Sequence, residues 1–299
     1  MLDRKDRCAS AALVRGDAML GTAFPADRIL LVEQPGGWGR DGLAASRFDR
    51  AVAAQLIERL GRRNIRVLAI RRPGRHPEPV RRQWIFADCR SGRQRLFRGS
   101  FDADDELLRL DVDAVEPATD QRPVYAICAH GTHDMCCAIE GRPVAAALDR
   151  FSAGRAWECS HVGGDRFAAN VLVLPTGQQY GQITDAAELA TATEAGRVLP
   201  ERLRGQIGLA PAAQAGVVHA QRELGLTDIG AVRPVGLQPG ADGAFQVEVA
   251  AAGSRYLVGV QRVAGTAAML TCRAPGPRTP ISFRPLWLRS ADPATAAER

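Results

Sequence analysis

Short apolar runs alternate with helix-spaced apolar positions over the first 225 or so residues of the chain. Residues 28–33 (RILLVE) predict a buried strand, and residues 46–60 place Phe48, Val52, Ala53, Leu56, Ile57 and Leu60 at helical spacing. Residues 65–70 (IRVLAI) return to a strand pattern, so the chain opens as β-α-β. Residues 84–87 and 94–97, separated by Arg90, Ser91 and Gly92, predict a hairpin. An acidic stretch from about Asp102 to Asp120 then marks a boundary, which ends an N-terminal α/β domain at about residue 115.

A second unit, residues 121–225, begins with a strand at 123–127 and a helix at 143–151, where Pro143 suits the first turn. Strands at 170–174 and 179–183 flank the turn Pro175-Thr176-Gly177, Asp185 caps a helix over 186–195, and a further helix spans 211–224. This β-α-loop-β-β-α order is that of a thioredoxin-like layer in an α/β (α+β) fold, and both units share a β-α-β-β core. Residues 226–299 predict a small antiparallel β appendage and tail, from the runs FQVEVAAA, YLVGVQRV and AMLTC between glycine-rich turns.

The chain has 299 residues, 46% apolar and 24% charged, and its net charge is +6. That composition is ordinary for a globular protein, and the apolar runs fall well short of the roughly 20 residues of a membrane span. The N-terminus lacks the apolar centre of a secretory signal, so a cytoplasmic protein is expected. The basic stretch Arg71–Arg98 holds only three aromatic residues, Trp84, Phe86 and Phe97, all within strand patterns, and is followed directly by the acidic one. A self-neutralising surface is therefore expected, rather than a nucleic-acid platform.

The chemistry lies in two stretches, CAHGTHDMCC at 128–137 and WECSHVGGD at 157–165. They hold four of the seven cysteines and three of the five histidines, the donors that iron and zinc prefer. Cys128 and Cys137 stand nine positions apart, enough for a loop to wrap a 2Fe–2S cluster. Cys136 cannot readily share an iron with Cys137, so one of the two is a packing or supporting residue. Cys8, Cys89 and Cys272 are scattered and read as small apolar residues. His76 and His219 lie far from both stretches. Trp157 and Phe167 flank the second stretch and are expected to shield it from water.

These stretches, with HVGGDRFAANVLVLP and more loosely LLVEQPGGWG, resemble the sucrase/ferredoxin-like family over residues 20–225. The resemblance implies a thioredoxin-like 2Fe–2S ferredoxin that exchanges single electrons with a redox partner protein, a reductase or an acceptor. It implies ligands at Cys128, Cys137 and His161. The family's last ligand, in its His-x-Gly-Gly-His pattern, falls on Asp165, a harder donor than imidazole. Two candidates for the fourth position follow, Cys159 or Asp165 itself. Thiolate chemistry favours Cys159 and leaves Asp165 to orient His161. Gly163 and Gly164 suit a backbone that approaches the cluster closely. His130 and His133 match no ligand position and read as loop hydrogen-bonding residues, and Asp134 as a turn or cap.

Two other readings stand beside it. Structural zinc shares the donor set, although the Cys-x8-Cys spacing is wide for a zinc module. Gly37-Trp38-Gly39-Arg40-Asp41-Gly42 is formally Gly-x-Gly-x-x-Gly, the mark of an NADP-dependent oxidoreductase, but Pro35 and Trp38 crowd the turn. No serine elbow or paired catalytic carboxylates support glycoside hydrolysis.

Overall fold

The computed structural model describes residues 3, 6–74 and 81–291, so Lys5 and His76 lie outside the described residues. A short helix α1 (Cys8–Arg15) precedes strand β1 (Arg28–Glu33), helix α2 (Arg50–Gly61), and strands β2 (Ile65–Arg71), β3 (Arg82–Asp88) and β4 (Arg95–Phe101). The second half repeats the order with β5 (Val124–Cys128), α3 (Met135–Ser152), β6 (Ala156–Cys159), β7 (Val171–Leu174) and β8 (Gln178–Tyr180). Helix α4 (Ala186–Glu194), strand β9 (Leu203–Gln206) and helix α5 (Pro211–Leu224) follow.

These nine strands form one mixed sheet in the order β4-β3-β1-β2-β6-β5-β7-β8-β9. The orders β4-β3-β1-β2 and β8-β7-β5-β6 are the same, and the halves meet where β2 runs antiparallel to β6. The common β-α-β-β core thus appears twice about a pseudo-two-fold axis. The parallel pairs β1·β2 and β5·β6 lie side by side at the centre of the sheet, which is why β1 and β5 read as apolar runs. Alternate residues of these strands divide two cores. Tyr125 and Ile127 face α3, whereas Val124, Ala126 and Cys128 join Ile29, Leu31, Leu68 and Ile70 on the opposite face.

A second, four-stranded sheet comprises β10 (Val232–Pro239), β11 (Ala244–Ala251), β12 (Ser254–Ala264) and β13 (Ile281–Ser290) in sequential order. It packs Val247, Val249, Val258 and Val260 on the small residues of α5. The run AMLTC, expected as a strand, lies instead in the loop between β12 and β13. Only Ala268 pairs, in an isolated bridge with Arg278, and Cys272 packs against α1 and the start of α3.

Helix α3 differs most from its predicted form. It begins at Met135, because the Asp134 carboxylate caps it by accepting the Cys136 N–H at 2.8 Å, and Pro143 falls in its interior. Proline there forgoes the bond to the Ile139 carbonyl, and tertiary packing overrides the local signal. Arg82 pairs with Asp104 and Arg81 with Asp102, so the basic and acidic stretches meet on the surface. No helix among the described residues is long and apolar enough to cross a membrane.

Candidate metal centre

Cys128 is the last residue of β5, and its N–H is held by the Asn170 carbonyl at 3.0 Å. The chain then turns through 129–133 and enters α3, whose first turn carries Cys137. Gly141, one turn further on, lies so close to β5 that a β-carbon there would sit 2.0 Å from the Cys128 carbonyl oxygen. Glycine therefore lets α3 settle on the end of β5, and that contact brings Cys137 to Cys128.

The second stretch arrives from β6. Ser160 anchors it to the N-terminal half, donating its N–H to the Ala69 carbonyl at 2.8 Å and accepting the Ala69 N–H at 3.1 Å. His161 follows, and the sulfur atoms of Cys128 and Cys137 and a ring nitrogen of His161 all lie within 4.8 Å of one another. His161 Nε2 accepts the Gly163 N–H at 3.1 Å, while Nδ1 stands 3.0 Å from Asp165 Oδ1 without the alignment of a hydrogen bond. Asp165 is buried beneath the group, where its Oδ1 accepts the Cys137 thiol at 3.2 Å. The His133 ring stacks on His161 with centroids 3.8 Å apart, and its Nε2 lies 3.9 Å from Asp165 Oδ2. His133, His161 and Asp165 form a second donor group that shares His161 with the first.

The electrostatics follow from this packing. The Cys137 thiol, helped by His161, holds the buried Cys128 well below an ordinary thiol pKa. Burial disfavours a charged His161, but the Asp165 carboxylate and the Cys128 thiolate outweigh it and push the ring up to about 9. Burial alone would raise Asp165, yet His161 and Cys137 hold it below the usual carboxylate value.

Cys159, the favoured fourth ligand in the sequence reading, ends β6 beside Cys128 in the strand register, in a strand and not in the loop. It is fully buried among apolar residues, burial pushes its thiol up, and it belongs to neither donor group. Gly163 and Gly164 both have left-handed φ, at 80° and 75°. A β-carbon on Gly164 would come 2.6 Å from Nη2 of Arg204, so the space it leaves is filled by that guanidinium. Trp157 and Phe167 are both buried, and the Arg72 guanidinium lies 3.5 Å from the Trp157 ring centroid. His219 is remote, 3.9 Å from Glu223 on α5.

Sequence reasoning missed Arg204 and the part played by the N-terminal loop. Arg204 is buried, donates to the Gly163 carbonyl at 2.8 Å, Asn170 Oδ1 at 2.7 Å and Thr22 Oγ1 at 3.0 Å, and makes no ion pair among the described residues. Its positive charge faces the negative groups of the centre. The loop of Gly37–Gly42 closes over the first stretch, because Trp38 and Gly39 carbonyls accept Thr132 Oγ1 at 2.6 Å and pair with His130 Nε2 at 2.7 Å. Gly42 leads only into a single 3-10 turn at Leu43–Ala45, and helix α2 begins at Arg50, so these glycines do not open an α-helix as a dinucleotide-binding loop requires. No signal in one sequence reveals that a loop at 37–42 covers another at 128–133.

Residues 19–205, more than half of the chain, match the model of the sucrase/ferredoxin-like family, and the chain belongs to that family. No curated protein and no solved structure matches it.

Proposed function

We propose that this member of the sucrase/ferredoxin-like family is a thioredoxin-like ferredoxin that holds a 2Fe–2S cluster and exchanges single electrons with a redox partner protein, a reductase or an acceptor. Cys128, Cys137, His161 and Asp165 are its ligands in this reading. The observation that carries it is the convergence of two thiols, one imidazole and one buried carboxylate from the ends of β5, β6 and α3. The donor set fits: two sulfurs and a histidine suit iron, and the unaligned Nδ1 of His161 is a buried polar atom without a hydrogen bond. Such a cluster supplies one-electron chemistry, and a histidine ligand raises its potential.

The chain's own groups prepare the site. Trp157, Val162 and Leu172 keep water from its inner side, and Arg204 supplies a buried positive charge that favours the arrival of an electron. The stacked His133 and His161 side chains, 29% and 20% exposed, form its open edge, where a partner would approach. All seven cysteines are unpaired, which suits the reducing cytoplasm.

A second reading, a structural zinc, is favoured by one observation. The three ligand atoms of Cys128, Cys137 and His161 lie within 4.8 Å of one another, as around a single ion. Anaerobic purification with iron and sulfide analysis and a visible spectrum separates the two. Equal iron and sulfide and a coloured protein support the cluster; a colourless protein with zinc at this centre overturns it. Asp165→Ala should then lose the cluster while Cys159→Ser keeps it, and His133→Ala tests the stacked ring as a substitute ligand.

A further inference from the structure

Three cysteines that look unrelated in sequence meet at one point. Cys8 lies in α1, Cys136 in the first turn of α3 and Cys272 in the loop between β12 and β13. Their sulfurs and a carboxylate oxygen of Asp134 all lie within 4.8 Å of one another. We infer that Cys8, Cys136, Cys272 and Asp134 form a second metal site, separate from the first and suited to a zinc ion. This inference does not rest on the proposed function.

Three of the six edges between these donor atoms have tetrahedral length, and the other three fall within 4.8 Å. Cys272 Sγ stands 3.5 Å from both Cys8 Sγ and Cys136 Sγ, and Cys8 Sγ stands 3.7 Å and 3.8 Å from the two carboxylate oxygens. With metal–sulfur and metal–oxygen bonds of about 2.3 and 2.0 Å, the edges of a tetrahedron are about 3.5 to 3.8 Å. The carboxylate is also fixed in place. Asp134 Oδ1 accepts the Cys136 N–H at 2.8 Å, and Oδ2 accepts Thr271 Oγ1 at 2.9 Å and the Cys272 N–H. Thr271 and Cys272 fill the acceptor sites of Oδ2, whereas Oδ1 accepts one backbone N–H and faces the Cys8 thiol with its other lone pair, which leaves that site open to a metal.

Charge gives an independent reason. Asp134 is fully buried, and no arginine, lysine or histidine pairs with it among the described residues. A buried carboxylate beside three thiols is costly unless a cation joins it. Three thiolates and a carboxylate are a soft, negative donor set that a zinc ion satisfies. Occupied, the site clamps α1 and the 265–280 loop onto the start of α3. It also accounts for the adjacent pair Cys136-Cys137, whose side chains diverge on the helix, one to each centre.

Cobalt(II) titration of the reduced, metal-free full chain tests this, since thiolate-bound tetrahedral cobalt is coloured, and elemental analysis counts zinc in protein assembled with iron and sulfide. Wild type should bind one zinc in addition to whatever the first centre holds. Cys8→Ser and Cys272→Ser should each weaken that binding by at least about tenfold, as even supporting groups of a metal site do, while iron and sulfide stay unchanged. Cys137→Ser should show the reverse, losing metal at the first centre and keeping the zinc. Cys272, in a half-exposed loop, provides the reading if Cys8→Ser does not fold. Cobalt or zinc binding that is the same in wild type, Cys8→Ser and Cys272→Ser overturns the inference, as does a disulfide among these cysteines in place of metal.

Discussion

Gly141→Ala isolates the contact that assembles the first centre. An alanine β-carbon would lie 2.0 Å from the Cys128 carbonyl oxygen, whereas real β-carbons stay beyond 3.0 Å, so α3 must withdraw from β5 by about 1 Å or more. The obstacle is backbone in a central strand and cannot rotate away. Helix propensity works in the opposite direction, favouring alanine by up to about 1 kcal/mol. Overpacking of this kind costs about 1–3 kcal/mol, and a rigid backbone neighbour puts the cost at the upper end, leaving a net loss of about 2 kcal/mol. Chemical denaturation of the metal-free chain measures it. Cys137 moves with the helix, so iron retained after anaerobic purification should fall as well. Gly61→Ala is the control: it ends α2 with nothing within 4 Å of its β-carbon, and it should be neutral or stabilising. A Gly141→Ala protein at least as stable as wild type, with full metal content, would refute the reasoning.

Pro143→Ala should stabilise the chain by about 1–3 kcal/mol, because it restores a helix bond at an exposed interior position; no change on denaturation would mean that the helix does not extend before Pro143. Arg204→Met should cost about 3 kcal/mol by leaving the Gly163 carbonyl and the Asn170 and Thr22 oxygens without their donor, and a loss under about 1 kcal/mol would show that water replaces the guanidinium. In the metal-free protein the His161 ring should titrate near 9 by NMR, releasing the Gly163 N–H as it gains its second proton. Because its pKa is raised, its stabilising contribution is full below about 6.5, the unfolded value, and is lost as pH rises through about 9. Asp165 has a lowered pKa, so its contribution is present above the ordinary carboxylate value and is lost as pH falls through the folded one. Asp165→Asn should bring the His161 midpoint down; an unmoved midpoint would remove the carboxylate from the explanation.

The elements whose signal is local were legible in the sequence. RILLVE, IRVLAI and NVLVL announced central strands because both faces of those strands are buried, and Asp185 and Pro211 marked the starts of their helices. Thiols and imidazoles in short loops after strands pointed to Cys128, Cys137 and His161, and the fold brings these three together. What the chain alone could not reveal depends on contacts distant in sequence. Pro143 signals a helix start locally, yet Asp134 caps the helix earlier and the packing of Gly141 on β5 holds it there. Cys159 looked like the better ligand by chemistry, and the strand register sets it beside Cys128 on the same face, yet it belongs to neither donor group. Arg204 and the loop at 37–42 reach the centre only through the folded sheet. Cys8 and Cys272 stand 264 positions apart, and nothing in the residues around either one indicates that their sulfurs meet. Local patterning was enough for the strands, most helices and the donor types, whereas folding chose which donors come together, because ligand sets are selected by distance in space, which no local pattern encodes.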